Sequence, residues 1–303
     1  MSVTTVLQTV GALSRPLVAR DLRGLSGMQA IDRRDFLETW AALPLSRRAE
    51  IAQEMTELAE ENVDLDLRAA WSWLLDDQDP TVRTLAVEGL WEDTSVATMR
   101  RMLSMVRQDP DDELRAAAAI ALSRFAYLAS LDELDEGAET LERTLAELAL
   151  DPHAPQDVRR RALESAGYFA ENTAVQAQIA NDYATDEQLL RESALVAMGR
   201  SMRSSWLPTI ARELGSESPA MRYEAARAAG EMAEEARSLL GKLAPLMNDR
   251  DTEIALAAIW SLGQIGGGSA ERVLLQMSKS DDEIRSQAAT DALEELRAGA
   301  KLI

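Results

Sequence analysis

The chain has 303 residues, of which 46% are hydrophobic and only 4% aromatic, so its apolar surface comes mainly from alanine and leucine. This composition favours an all-α fold, because alanine and leucine lead the order of helix propensity while β-sheets favour branched and aromatic residues. A formal net charge of −20 disfavours nucleic acid and anionic membrane surfaces as partners, and the absence of cysteine excludes disulfides and cysteine-ligated zinc.

The N-terminal region is less regular than the rest of the chain. Residues 1–27 have a weak helical pattern interrupted by glycine and proline, and we expect this segment to be partly ordered at best. Residues 28–63 predict a helical N-terminal cap of two helices separated at Pro44. No apolar run approaches the roughly 18 residues of a transmembrane helix, and no convincing secretory signal is present, so we predict a cytoplasmic protein.

Residues 64–303 repeat a pair of helices about seven times. The second helices align on one position, which we call the anchor and which is arginine in six pairs. The anchors are Arg83, Arg115, Arg159, Arg191, Arg222, Ala255 and Arg285. Their spacings of 32, 44, 32, 31, 33 and 30 residues indicate a repeat architecture rather than separate globular domains.

The positions around each anchor form one apolar stripe of a helix. Every pair has an apolar residue one position before the anchor, an alanine three positions after it, and apolar residues four and seven positions after it. The alanines predict a helix contact with no room for a larger side chain. Four consecutive pairs also have glycine eight positions after the anchor, which predicts close backbone contact. These glycines are Gly167, Gly199, Gly230 and Gly263.

Local signals agree with this helical register. Five pairs have a good helix N-cap four positions before the anchor. These caps are Asp79, Asp111, Ser218, Asp251 and Asp281. The longest anchor spacing contains an extra acidic segment at residues 131–137, which we predict to be a solvated loop. Trp71, Trp73 and Trp91 cluster around the first pair, and we expect one of them to be semi-exposed against the N-terminal cap.

These segments resemble the HEAT-repeat family, especially the short bacterial HEAT-like repeats also seen in phycobilin lyase proteins. The matching pieces are DPTVRTLAVEGL, DDELRAAAAIAL, SPAMRYEAARAAG, DTEIALAAIWSLGQIGG and DDEIRSQAATDAL, within residues 65–297. The resemblance implies a right-handed α-solenoid of about seven helical hairpins. It also implies a ladder in which each anchor arginine pairs with an aspartate of a neighbouring repeat. Because Ala255 departs from the pattern, we expect an interruption at the sixth hairpin.

No motif in the sequence specifies a reaction. His153 is the only histidine, and no nucleophile motif accompanies it. Residues 248–251 lack the glycine and terminal glutamate of a calcium loop, and the glycines at 266–268 follow a helix rather than a strand. The single histidine also separates the chain from deoxyhypusine hydroxylases, which resemble it in fold but bind iron through repeated His–Glu pairs. We therefore predict a non-enzymatic protein without catalytic residues, metal or cofactor.

A binding surface is predicted on the concave side of the solenoid, where the second helices present aromatic and arginine side chains typical of binding hot spots. The predicted partner-binding residues are Trp260, Tyr168, Tyr223, Arg124, Arg200 and Arg227. These side chains equally suit packing on the next repeat and pairing with nearby acids. The leading hypothesis is an interaction scaffold or adaptor for a protein or peptide. The alternatives are a phycobilin-lyase-like tetrapyrrole-binding protein and a structural subunit of a larger assembly.

Overall fold

The computed structural model describes residues 2–62 and 64–299, and every regular element in that part of the chain is helical. Nineteen α-helices alternate there with short 3₁₀ turns. The α-helices are α1 (Val3–Gly11), α2 (Ala19–Leu22), α3 (Arg33–Ala41), α4 (Leu45–Glu61), α5 (Arg68–Leu74), α6 (Pro80–Gly89), α7 (Val96–Gln108), α8 (Asp112–Ala121), α9 (Ser123–Ser130), α10 (Ala138–Leu150), α11 (Gln156–Ala166), α12 (Thr173–Tyr183), α13 (Gln188–Arg200), α14 (Leu207–Glu213), α15 (Pro219–Glu231), α16 (Leu240–Leu246), α17 (Thr252–Ile265), α18 (Gly267–Met277) and α19 (Glu283–Gly299). The all-α prediction is confirmed.

Seven helical hairpins follow one another from α5 to α19 in the described chain. Their first helices are α5, α7, α10, α12, α14, α16 and α18, and their second helices are α6, α8, α11, α13, α15, α17 and α19. The extra helix α9 lies in the longest interval between anchors, and residues 131–137 after it form the predicted loop. The predicted number and order of helical-hairpin repeats are therefore confirmed.

The helices fall into two compact units. Unit 1 consists of Met1–Phe125 with Asp135–Gly137, and unit 2 consists of Ala126–Leu134 with Ala138–Ile303. The units divide at the longest anchor interval, where the additional chain around α9 breaks the regular spacing. The domain boundaries predicted after residues 27 and 63 stay a prediction.

The alanine stripe is the centre of packing between the hairpins. The alanine three positions after the anchor has 0% exposure in the first six hairpins. In the seventh hairpin the equivalent Ala288 is only half-buried. Ile284, which precedes the last anchor and was predicted to be buried with the stripe, is 61% exposed. That expectation is wrong because no described helix follows α19 to cover this side of it.

Four of the five predicted N-caps accept a hydrogen bond from the backbone of the first helical turn. They are Asp79, Asp111, Ser218 and Asp251, which accept from Thr81, Leu114, Met221 and Glu253. The fifth prediction is wrong by one residue. Asp282 rather than Asp281 lies directly before α19, and its carboxylate accepts from the backbone N of Arg285 at 3.1 Å.

All four glycines eight positions after the anchor lie against the next second helix. A Cβ atom on Gly167 would lie 2.8 Å from a backbone oxygen of α13, and one on Gly199 would lie 2.7 Å from Cα of Ala228. Gly230 differs, because its missing side chain leaves room for the indole of Trp260. The prediction of close approach is confirmed, and one of the glycines accommodates an aromatic ring.

The N-terminal cap is itself a hairpin in register with the repeats. Arg48 is the fourth residue of α4, as Arg83 is the fourth residue of α6. Arg48 Nη1 lies 3.4 Å from Asp77 Oδ2, in the loop after α5, and both side chains are buried. The indole of Trp40 in α3 donates to the same oxygen at 2.6 Å. Sequence analysis assigned α3 and α4 to a cap but did not recognise Arg48 as an eighth anchor.

The residues before this cap are packed as part of unit 1. Val6 and Leu7 of α1 and Leu22 of α2 have 0% exposure, and Arg47 of α4 donates to the backbone oxygen of Val10 at 2.7 Å. The segment expected to be partly ordered at best therefore contributes to the apolar core. Its buried side chains are spread over two short helices, so a search for one long helical period underestimates them.

Two anchors form the implied ladder. Arg83 donates to the carboxylate of Asp109 at 3.1 and 2.8 Å, and Arg222 donates to that of Asp249 at 3.0 and 3.4 Å. In both cases the aspartate lies in the loop between the two helices of the following hairpin. The other arginine anchors use different partners; Arg115, for example, pairs with Asp112 of its own helix at 3.0 Å. A continuous aspartate ladder is therefore wrong for this chain.

The interruption at the sixth hairpin takes a specific form. Ala255 is fully buried, and the seventh anchor, Arg285, reaches back to donate to the backbone oxygen of Asp249 at 2.6 Å. Arg83 and Arg222 donate to their own loops at the equivalent position, through the oxygens of Asp77 and Ser216. Arg285, the anchor of the next hairpin, thus donates to the carbonyl of Asp249, which has no arginine of its own hairpin because position 255 is alanine.

Across the described residues, none of the helices is both long enough and apolar enough to cross a lipid bilayer.

Candidate protein-binding face

Second helices α11, α13, α15 and α17 form one face of unit 2, which we call the second-helix face. Each contacts the next through the alanine stripe and the glycines, so side chains at equivalent positions of successive helices become neighbours. Aromatic and arginine side chains from these helices meet at this face. The close helix spacing is therefore what brings the predicted binding residues within reach of one another.

Four predicted residues form two cation–π pairs on this face. Tyr168 follows α11, and the guanidinium carbon of Arg200, at the end of α13, lies 5.4 Å from the centre of its ring. The guanidinium carbon of Arg227 in α15 lies 4.7 Å from the ring centre of Trp260 in α17. Both distances are within the roughly 6 Å at which such pairs attract. The sequence predicted these residue types, and the structure shows how they pair.

Tyr168 is at the centre of the group. The ring of Tyr127 contacts it edge-on, with centroids 5.5 Å apart and an interplanar angle of 61°. Burial raises the pKa of Tyr168, while the positive charges of Arg200 and Arg227 lower it and the nearby carboxylate of Glu231 raises it. Sequence analysis missed Tyr127, because α9 lies outside the repeat register and has no equivalent in other hairpins.

Arg200 has unused hydrogen-bonding capacity. Within residues 2–62 and 64–299, its guanidinium makes a ring contact with Tyr168 but no hydrogen bond or ion pair, and its Nη1 is buried without an acceptor. Arg227, in contrast, lies 3.8 Å from the carboxylate of Glu231. A buried donor without an acceptor costs about 1–3 kcal/mol, so an incoming oxygen acceptor beside Arg200 would be favourable.

The two other predicted residues lie elsewhere. Arg124 is in unit 1, where its guanidinium donates to the backbone oxygens of Asp93 and Ala121 at 2.8 and 3.1 Å. Burial lowers the pKa of Arg124 to about 10. Its donors are engaged within unit 1, so Arg124 is not part of the candidate site.

Tyr223 lines a separate cavity of about 400 Å³ between α15 and α17, together with Glu224.

Beside Tyr223 the face is acidic. Glu164 is buried and accepts hydrogen bonds from the hydroxyl of Ser193 at 2.5 Å and from Arg161 Nη1 at 2.8 Å. Glu164 lies on α11, whereas Glu224 is half-buried on α15. Burial, reinforced by the carboxylates of Glu164 and Glu192, raises its pKa to about 7. The second-helix face therefore combines an aromatic and cationic part with an acidic part in which Glu224 titrates near neutral pH.

His153 lies in an exposed turn, where its backbone N donates to the carboxylate of Asp151 at 2.9 Å. Asp249, in the sequence that faintly resembles a calcium loop, accepts from the backbone N of Asp251 at 3.0 Å and from Arg222. Both segments therefore have a local structural role. In the described part of the chain, no three His, Asp or Glu side chains are grouped so that they would hold a metal ion.

Comparison with known protein families identifies HEAT repeats at residues 67–151 and 207–294, which together make up more than half of the chain. The chain belongs to the HEAT-repeat family. The match includes hairpins from both compact units, and five of the seven anchors lie within the matched residues. A comparison with curated proteins finds no match.

Solved structures similar to this HEAT-repeat protein include the complex of CpcE and CpcF of phycocyanin lyase from Nostoc sp. PCC7120. The identity is 19%, with 76% of this chain and 94% of that chain covered at a TM-score of 0.50. The Kap95:Nup1 complex has 13% identity, 97% and 46% coverage and a TM-score of 0.48. Human deoxyhypusine hydroxylase has 13% identity, 98% and 96% coverage and a TM-score of 0.38. At such identities the similarity concerns the fold alone.

Glu224 makes the stability of these HEAT repeats depend on pH. Its folded pKa of about 7 lies above the ordinary value of 4.5, so the folded state binds more protons between those two values. The stability that Glu224 contributes should therefore fall as the pH rises from 4.5 to about 7 and then level off. Glu224→Gln should stabilise the protein by about 2–3 kcal/mol above that range and have little effect at acid pH.

Thermal unfolding measured across this pH range tests the prediction. Glu253→Gln is the matched control, because it removes the same charge from an exposed position of the same cavity. A stabilisation of Glu224→Gln that is equal at acid and alkaline pH would contradict the role of this carboxyl group.

Proposed function

We propose that this HEAT-repeat protein is a non-catalytic interaction scaffold that holds a peptide segment of a protein partner on the second-helix face of unit 2. The observation that carries the proposal is the half-buried guanidinium of Arg200, which is held against Tyr168 and makes no hydrogen bond or ion pair within the described residues. An aspartate, glutamate or terminal carboxylate of the partner supplies an acceptor to this guanidinium. A carboxylate is favoured because charge-assisted bonds to arginine are short and strong.

The surrounding rings provide the apolar part of the interface. Tyr127 is 48% exposed, and Trp260 is held between Gly230 and the guanidinium of Arg227. Rigid aromatic side chains of this kind carry much of the binding energy in protein interfaces. The proposed ligand is therefore a short segment with a carboxylate next to an apolar side chain. This chemistry suits a peptide better than a nucleic acid, whose binding depends on several basic contacts to successive phosphates.

The other functions suggested by resemblance have no comparable support. A tetrapyrrole-binding role rests on similarity to phycobilin lyases, and a structural subunit role on the repeat fold itself. Neither accounts for the unpaired donor of Arg200. The cytoplasmic location is part of the same proposal, since an intracellular scaffold fits the acidic, cysteine-free composition.

Selection from a displayed random-peptide library tests the proposal. The wild-type protein should enrich peptides that combine an acidic residue with an apolar or aromatic neighbour. Arg200→Ala combined with Arg227→Ala should weaken binding of the selected peptides by about a hundredfold, because each lost contact is worth roughly 1–2 kcal/mol. The affinities of synthetic versions of these peptides are measured by fluorescence anisotropy.

Arg212→Ala is the matched control. Arg212 also covers a tyrosine ring, with its guanidinium carbon 5.3 Å from the centre of Tyr183, but it lies in the first helix α14. This variant should bind the selected peptides as the wild type does. Peptides without acidic residues, or affinities that survive the double substitution, would overturn the assignment of this face.

A further inference from the structure

Trp91 is exposed at the end of α6 in unit 1. Its side chain is 69% exposed, whereas Trp71 in the neighbouring helix α5 is 1% exposed. The turn that carries it is fixed by backbone bonds, since the N atoms of Trp91 and Asp93 donate to the oxygens of Glu88 and Leu90 at 3.1 and 2.9 Å. A large apolar side chain is thus held in solvent by a defined turn. Tryptophan in such a position is typical of a binding hot spot.

Two adjoining cavities flank this tryptophan. Their volumes are about 370 and 480 Å³, and both are lined by Ala59, Trp71, Gly89 and Trp91. Gly89 shapes the floor, because a Cβ atom there would collide with the indole of Trp71. The small residues and the buried indole of Trp71 leave an open groove beside Trp91, with apolar and polar parts. We call this the Trp91 groove.

The rim of the Trp91 groove is negatively charged. Glu92 lines one cavity, and Glu60 and Glu88 line the other. Among the described residues, no hydrogen bond or ion pair reaches these three carboxylates. Arg68 lines the same cavity as Glu92, but Asp66 holds its guanidinium with two bonds of 2.8 Å. In the described part of the chain, the groove therefore offers carboxylates that form no ion pair, next to an exposed indole.

We propose that the Trp91 groove binds a lysine- or arginine-bearing segment of a protein partner. The cation lies over the face of Trp91 and pairs with the carboxylates of Glu88 and Glu92, while the aliphatic stem of the same side chain covers Trp71 and Ala59. Cation–π attraction and charge pairing act together on one side chain in this arrangement. The net charge of −20 additionally attracts basic segments toward the molecule.

Anisotropy titration with a fluorescein-labelled peptide of alternating glycine and arginine tests this site. At about 0.15 M salt, where long-range attraction is screened, Trp91→Ala should weaken binding about tenfold. This substitution leaves the charge unchanged, and the exposure of the side chain means that the fold should be retained. An otherwise identical peptide of alternating glycine and glutamate should not bind.

Charge-matched variants separate the groove from general attraction to an acidic protein. Glu88→Gln with Glu92→Gln should weaken binding about tenfold, whereas Glu217→Gln with Glu235→Gln, at two exposed positions of unit 2, should have little effect. An equal loss from both pairs, or unchanged binding by Trp91→Ala, would overturn the proposal. Self-association that Trp91→Ala abolishes would also overturn it, because the occupant of the groove would then be a second copy of this chain.

Arg200→Ala with Arg227→Ala should leave this peptide's affinity unchanged. The proposal for the Trp91 groove and the proposal for the second-helix face can therefore fail separately.

Discussion

Replacing Asp77 with alanine is expected to lower the free energy of unfolding by about 3–5 kcal/mol, the cost of breaking a buried charge pair. Its carboxylate is 2% exposed and lies 3.4 Å from Arg48. It also accepts from the indole of Trp40 at 2.6 Å and from the backbone N of Asp79 at 2.8 Å. The substitution would therefore remove the carboxylate that pairs with buried Arg48 and leave the Trp40 indole N–H without its acceptor, at the contact between the N-terminal cap and the first repeat.

Asp76→Ala provides a direct comparison at the adjacent position. Asp76 also pairs with an arginine, Arg101, but its side chain is 62% exposed, so the expected loss is about 0–1 kcal/mol. Urea unfolding followed by circular dichroism measures both variants. Equal unfolding midpoints for Asp77→Ala and Asp76→Ala would mean that the buried network does not secure the cap.

Gly199→Val is expected to destabilise unit 2 by about 3 kcal/mol through overpacking. A Cβ atom at this position would lie 2.7 Å from Cα and 3.1 Å from the backbone oxygen of Ala228. Because the obstructing atoms are backbone, α13 and α15 would have to move apart. Arg200 and Arg227, which are adjacent to Gly199 and Ala228 in these two helices, would be displaced with them, so the variant should also lose peptide binding at the second-helix face.

Gly241 is the control for the removal of a helical glycine. It lies in α16, and a Cβ atom there would meet no atom within 4 Å. Gly241→Ala should raise stability by about 0.5–1 kcal/mol, since alanine has the higher helix propensity. Thermal unfolding of the two variants should therefore shift in opposite directions. A stabilising Gly199→Val would contradict the close approach of α13 and α15.

Much of the fold was predictable because the repeat places the same chemistry at the same helical position many times. An arginine anchor followed three residues later by alanine recurs at Arg83, Arg159 and Arg222, and each repetition strengthens the interpretation of the others. Local capping residues such as Asp251 then set the beginning of the helix. Agreement between capping, periodicity and glycine placement is what makes a helical repeat readable from one sequence.

The eighth anchor was not recognised because its surroundings differ from the pattern. Arg48 is followed three residues later by Ile51 rather than alanine, and Pro44 stands in place of a polar cap. What assigns Arg48 to the series is its bond to Asp77, a contact between residues 29 positions apart. Contacts of this kind depend on how hairpins stack, which the local pattern does not encode.

The candidate site was predictable in composition but not in pairing. Trp260 and Arg227 were selected as hot-spot residue types, yet their contact depends on the space that Gly230 leaves for the indole. Arg124 matches the same pattern, but the backbone oxygens of its own unit take up its guanidinium. Whether an arginine is free to bind a partner is thus decided by nearby carbonyl groups, which a residue-type search does not consider.

The uneven bonding of the anchors has a consequence for how the chain opens. Strong side-chain bonds link successive hairpins through Asp77, Asp109 and Asp249. Between them in sequence, Arg159 has a buried Nε without an acceptor, and Arg191 lies 3.7 Å from its carboxylate partner. The anchor arginines therefore contribute least to coupling the central hairpins, which are joined instead by the close approach of α11, α13 and α15. The proposed peptide would bridge these second helices, so its binding would brace them against local opening.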